Sequence, residues 1–221
     1  LVGVDGLLDF CDLLDVSWIP SFSVDSARLE RCSGEVHHGW DSFLIRKRLP
    51  TRAWRPGRRV LVLTGGSDVA GQSETLPALL DASVPSGTEL HWVRGPFAAA
   101  PAIPSNRRVD WKVHEAPEGL DELVVESHYA LTVFGVTLFE VLQYGVPTVV
   151  FSPYEDRDQP ELALLEGEGV AVVADGAETA VAGLVELMDD ARLAGGLSQA
   201  ALDRLQVDGA DRLAGLIHSL V

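Results

Sequence analysis

Gly135 and, five residues further on, Glu140 are spaced for chemistry on a phosphorylated sugar. A glycine turn that ends a strand and opens a helix leaves backbone N–H groups free at the positive end of the helix dipole, which suits a phosphate. A carboxylate one helical turn in suits vicinal sugar hydroxyls, since it offers two acceptor oxygens. A plain βαβ unit uses the same glycine turn for packing alone, so the pair gains weight only from what converges on it. Other candidates are Gly65-Gly66-Ser67, Arg94-Gly95, His114-Glu115, the run Phe134-Gly135-Val136-Thr137, and a polar loop holding Asp158 and Gln159. Together they describe a site for an anionic, sugar-bearing ligand such as a nucleotide sugar.

The elements that must position these residues are legible from periodicity. Residues 129–134 form a short apolar, β-branched and aromatic run of the kind found in buried parallel strands. Residues 136–144 carry Leu138, Val141 and Leu142 at helical spacing, Gly145-Val146-Pro147 ends that helix, and 148–151 is a second buried strand. Upstream, 59–63 reads as a strand, 74–82 as a helix with Pro77 in its first turn, and 88–93 and 109–114 as further strands. A short helix is expected over 117–123. Downstream come a helix ending near Glu166, a strand at 170–173, a helix over 177–189 and a helical run over 191–220. Strands alternating with helices at this pitch predict an α/β fold, a parallel sheet covered on both faces, in which ligands bind beyond the carboxyl ends of the strands. All the candidate loops fall at that edge.

Composition bounds the rest. The chain has 221 residues with 17 basic and 33 acidic ones, a formal charge of −16 that excludes general nucleic-acid binding. Arg46, Lys47, Arg48, Arg52, Arg55, Arg58 and Arg59 nevertheless crowd one segment, which reads as a solvated linker or as a positive rim near an anionic ligand or surface. No uncharged apolar stretch is long enough for a membrane span. The start lacks an initiator Met and a basic signal-like region, and its strand-like first residues predict upstream chain. Cys11 and Cys32 are expected to be free thiols, which places the chain in a reducing, cytoplasmic compartment. His37, His38, His91, His114, His128 and His218 match no zinc spacing, so neither a metal nor another cofactor is expected. The predicted division is an α/β remnant over 1–20, a connector over 21–57 and a ligand-binding α/β domain over 58–221.

The pattern of a strand followed by Gly65-Gly66-Ser67-Asp68, a glycine turn with Thr137 and Glu140 on the next helix, Gly145-Val146-Pro147-Thr148 before a strand, and the acidic loop ending in Asp158-Gln159 resembles a known family. It is similar to the C-terminal, Rossmann-like domain of GT-B nucleotide-sugar enzymes, with MurG-like glycosyltransferases and PseG-type UDP-sugar hydrolases the nearest in pattern. The likeness covers 58–190 well, while 1–20 looks like the last strands of the family's N-terminal domain and 37–57 like its interdomain segment. The resemblance implies a UDP-sugar as ligand. Gly135, Val136 and Thr137 would meet the pyrophosphate, Glu140 the ribose, and Asp158 and Gln159 the sugar. Arg94, Gly95 and His114 would wall the base, and Gly65, Gly66 and Ser67 would supply the facing turn. Two departures matter. Phe134 stands where the family has a glycine or serine, and the family's N-terminal glycine-rich loop with its catalytic histidine has no counterpart in these residues. The stretch alone is therefore expected to be inert, and catalytic residues cannot be assigned within it. A binding or regulatory module on the same fold is the alternative. A nicotinamide or flavin domain ranks last, for want of G-x-G-x-x-G with an acidic residue about 20 positions later.

Overall fold

The computed structural model describes residues 1–5, 8–206 and 208–220. The chain divides into two compact units, Arg48–Leu202 and Leu1–Lys47 with Asp203–Val221. The predicted boundaries at 20 and 57 thus differ from the observed partition.

In the larger unit the apolar runs form an all-parallel sheet. Its strands are β4 (Arg59–Leu63), β5 (Glu89–Arg94), β6 (Asp110–Glu115), β7 (Tyr129–Val133), β8 (Thr148–Phe151) and β9 (Val172–Ala174). They stand in the order β6-β5-β4-β7-β8-β9. In register, Val60 faces both Leu90 and Tyr129, and Leu131 faces Val149. Every residue of β7 and β8 is buried, Thr132 and Thr148 included, which is why both read as continuous apolar and β-branched runs rather than alternating ones. On one face Val60, Val62, Trp92, Leu131 and Val149 pack with α2 (Gln72–Ser83) and α6 (Ala177–Asp189). On the other, Leu61, Leu63, Val93 and Ala130 pack with α3 (Asp121–Val125) and α4 (Val136–Leu142). Helix α5 (Gln159–Glu168) runs between β8 and β9, and α7 (Ala191–Arg204) follows α6. The chain leaves β4 for β5 and β6 on one side and returns to β7 on the other, so the order reverses between β4 and β7. A crevice opens at such a reversal.

Pro77 is not in the first turn of α2, which starts at Gln72. It lies in the helix interior, where it removes the hydrogen bond due to the Ser73 carbonyl. That carbonyl instead accepts the Ala102 N–H at 2.8 Å, so the loop before β6 satisfies the group that the proline orphans.

The smaller unit has a three-stranded parallel sheet of β1 (Val2–Val4), β2 (Val16–Trp18) and β3 (Glu35–His37) in that order, and a short α1 (Ser26–Leu29). Strand β3 lies inside the expected connector; with one apolar residue in Glu-Val-His it has no periodicity to announce it. Trp18 is fully buried and donates from Nε1 to the Ser42 carbonyl at 2.7 Å. Helix α8 (Gly209–Ser219) belongs to this unit. A Cβ at Gly209 would lie 2.3 Å from the Phe43 carbonyl oxygen, so the helix approaches backbone to backbone. The expectation of free thiols is overturned: Cys11 and Cys32 form a disulfide, with Cα atoms 4.7 Å apart. They are 21 residues apart in sequence, and only the fold of the unit brings them together. The compartment argued from free thiols loses its basis with them. No helix among the described residues is long and apolar enough to cross a membrane.

Candidate functional site

Beyond the carboxyl ends of β4 and β5 lies a cavity of about 160 Å³ at the point where the strand order reverses. Its polar wall is built from Gly65, Gly66, Arg94, Gly95 and Thr137. Leu63, Val93, Pro117 and Leu120 supply an apolar side, a signal that sequence reading missed because these residues looked like ordinary strand and loop packing.

The β4 and β5 loops touch through their backbones. The Phe97 N–H donates to the Gly66 carbonyl at 3.0 Å, and a Cβ at Gly95 would fall 2.4 Å from that same oxygen. Gly65 has φ of 86°, which a residue with a side chain adopts only under strain. A Cβ on Gly66 would meet nothing within 4 Å, so Gly66 borders open space.

Two helices start near this edge, and they differ. At α2 the Asp68 carboxylate accepts the Gln72 and Ser73 N–H groups at 2.9 and 2.8 Å, so that end is already capped by an anion from the chain. Asp68 holds φ of 46° to do so. At α4 the residue before the helix is Gly135, with no side-chain cap. Its φ of 157° and ψ of −175° lie in a region that glycine alone takes readily. Val136, its first residue, is 67% exposed, and Gly135 and Thr137 beside it are partly exposed. Thr137 in the first turn lines the cavity. Phe134 turns away from it and packs edge-on against Phe139, ring centroids 6.3 Å apart. The bulky departure from the family pattern therefore does not fill the cavity.

Glu140 follows Thr137 by three residues and so shares its face of α4, one turn deeper. It is half-buried. Burial pushes its carboxyl above the ordinary range, the Asp121 carboxylate adds to the rise, and Arg48 opposes it. Tyr144 ties this corner together. Its hydroxyl donates to Asp121 Oδ1 at 2.5 Å and accepts the Arg48 and Leu49 N–H groups at 3.0 and 3.2 Å. Burial, then the bond to Asp121, raises the Tyr144 pKa. Tyr144→Phe is expected to cost about 1–3 kcal/mol, because the Leu49 N–H loses its acceptor. Urea unfolding measures it, and a loss below about 0.5 kcal/mol would show that the hydroxyl does not tie the corner.

No protein-family model matches this sequence, and no characterised protein matches it by sequence comparison. Solved structures do match by shape. Acinetobacter baumannii MurG superposes with a TM-score of 0.60 at 16% identity, over 92% of this chain and 65% of that one. The glycosyltransferase SnogD from Streptomyces nogalater gives 0.59 at 20%, over 92% and 56%. Phytolacca americana UGT2, solved with UDP-2fluoro-glucose and pterostilbene, gives 0.57 at 17%, over 96% and 54%. The fold is that of the GT-B glycosyltransferases. The chain spans 65% of the MurG chain and little more than half of the other two.

Within this GT-B frame the remaining candidates are dispersed along the edge. Ser67 is exposed beside the cavity without lining it. Arg94 does line it, but its guanidinium is engaged, bonding the Glu115 carboxylate at 2.9 Å and the Ala98 carbonyl at 2.8 Å. His114 lies outside the cavity wall. Its ring stacks on buried His91, centroids 5.1 Å apart, with Nε2 3.1 Å from His91 Nδ1. Burial holds both imidazoles below their ordinary pKa, with Lys112 adding to the effect at His114 and Arg59 at His91. Asp158 and Gln159 stand past β8, further along the same edge. Asp158 accepts the Ser152 hydroxyl at 2.6 Å, and exposed Gln159 opens α5. The side chains of Glu155 and Asp156 in that loop lie outside the described residues. No cluster of three metal-ligating side chains occurs among the described residues.

Proposed function

We propose that this chain is the nucleotide-sugar-binding domain of a GT-B glycosyltransferase or nucleotide-sugar hydrolase, with a UDP-sugar as ligand. The observation that carries the reading is convergence: Gly65, Gly66, Arg94, Gly95 and Thr137, on loops far apart in sequence, border one cavity at the strand reversal. The N–H groups opening α4 at Gly135, Val136 and Thr137 receive the pyrophosphate. Glu140, on the same helix face, takes the ribose hydroxyls, and the small apolar chamber beside Leu63 and Val93 takes the base. Asp158 and Gln159 meet the sugar further along the edge. Arg94, held by Glu115, shapes the wall instead of neutralising phosphate, so the α4 backbone carries the anion. The chemical step calls for groups outside these residues, in keeping with a chain that spans part of its structural relatives.

A thermal-shift series with UDP, UDP-GlcNAc, CMP and NAD tests the reading. The uridine compounds are expected to raise the melting temperature, by about 2.7 kcal/mol of stabilisation at a hundredfold excess over Kd, with CMP and NAD weaker. Silence toward all four would favour a module that keeps the fold without the ligand.

A further inference from the structure

The opposite end of the same sheet holds a larger cavity of about 720 Å³ that the proposed function does not use. It opens at the amino ends of β4, β7 and β8, where Arg59, His128 and Val146 stand. Three guanidinium groups, of Arg52, Arg55 and Arg59, line it against a single carboxylate, Glu126. Arg59 is already neutralised: Nη1 bonds Glu126 at 2.5 Å and Nε lies 3.7 Å from Glu89. Arg52 and Arg55 have no ion pair among the described residues. The His128 Nδ1 accepts the Arg59 N–H at 3.2 Å, and burial lowers the pKa of its ring. The inner wall is apolar, with Trp54, Val125 and Val146. Trp54 is fixed there by its Nε1 bond to the His128 carbonyl at 2.6 Å and by edge-on contact with Tyr129.

In a chain with 33 acidic and 17 basic residues, a cavity with two uncompensated guanidinium groups reverses the prevailing charge. We propose that it binds a phosphate monoester bearing an apolar group. Two positive charges balance the dianion of a monoester, whereas a carboxylate or sulfate ester would balance one. The guanidinium fork also matches phosphate oxygens in pairs. The apolar group lies on Trp54 and Val146, and the volume falls within the range of about 300–1,000 Å³ usual for small-molecule sites.

Hexyl phosphate is the probe, titrated calorimetrically into the 221-residue chain, with inorganic phosphate and hexanol as its separate halves. Saturable binding is expected, with each half weaker by at least about tenfold and with Arg52→Gln/Arg55→Gln weaker by a similar factor. Both arginines are exposed, so the double variant keeps the parent melting temperature. An isotherm that does not saturate, or one the double variant leaves unchanged, overturns the proposal. So does inorganic phosphate binding as tightly as the ester, which would remove the apolar wall from recognition. Loss of binding in saturating UDP would move the probe to the other end of the sheet and overturn it equally.

Discussion

Glu140→Gln is expected to make the unliganded chain slightly more stable at pH 7 while removing most of the stabilisation given by UDP. The two effects have one cause. Burial and the Asp121 carboxylate hold the folded-state pKa of Glu140 above the ordinary 4.5. The folded chain therefore binds more protons than the unfolded one between that value and the raised one, and stability falls as pH rises through this window. Above the raised value the penalty is fully present, and a neutral amide of the same shape removes it. The site is only half-buried, so solvent screening limits the gain to a melting-temperature rise of about 1–2 °C. The ligand loses a charged acceptor for two hydroxyls, which weakens it by about a hundredfold. At a concentration set a hundredfold above the parent Kd, stabilisation then drops from about 2.7 to about 0.4 kcal/mol. In the parent, affinity for UDP is expected to decline on acidification with a midpoint above 4.5, as Glu140 takes up its proton. A variant that keeps the full UDP shift would take Glu140 out of ribose binding. A lower melting temperature without ligand would mean that attraction to Arg48 outweighs burial.

The larger sheet was open to sequence reading because its central strands are buried on both faces. Runs such as 129–133 and 148–151 hold no charged residue and only Thr132 and Thr148 as polar ones, and their strand ends match to within a residue. The helix over 177–189 came out at its full length, since alanine, valine and leucine recur on one face before Asp190 ends it. The smaller unit was harder to read. Strand β3 has a single apolar residue, and the disulfide depends on a spatial neighbourhood that no local pattern encodes. At the candidate site, residue types with unusual backbone needs were legible, and so Gly65, Gly135 and the carboxylate at Glu140 stood out. What the sequence could not supply was partnership. Arg94 and His114 were both expected to wall the base, yet Arg94 is bonded to Glu115 and His114 is stacked on His91, and Asp68, read only as part of the glycine turn, caps α2. Each of those outcomes is decided by a neighbour at least four residues away.

Gly95→Ala should be strongly destabilising for the larger unit. An added Cβ would stand 2.4 Å from the Gly66 carbonyl oxygen and 2.5 Å from that of Gly65. Both are backbone atoms, so no rotamer change relieves the clash; the β4 loop must move away from the β5 loop. That movement breaks the Phe97 N–H bond to Gly66 and disturbs the turn in which Ala98 N bonds the Gly95 carbonyl. Overpacking of about 1–3 kcal/mol and a lost hydrogen bond of about 1 kcal/mol combine to about 2–4 kcal/mol. For a chain of this size that lowers the melting temperature by about 5–12 °C. Gly66→Ala separates folding from binding at the same crossing. Its methyl meets nothing within 4 Å, so the fold should lose less than about 0.5 kcal/mol. The methyl projects into the open space that a ligand of the Gly65–Gly95 cavity would occupy, and the UDP-induced shift should shrink. The two variants are compared by calorimetry with and without UDP. A parent-like melting temperature for Gly95→Ala would refute the close backbone crossing, and an undiminished UDP shift for Gly66→Ala would place the nucleotide elsewhere on the sheet.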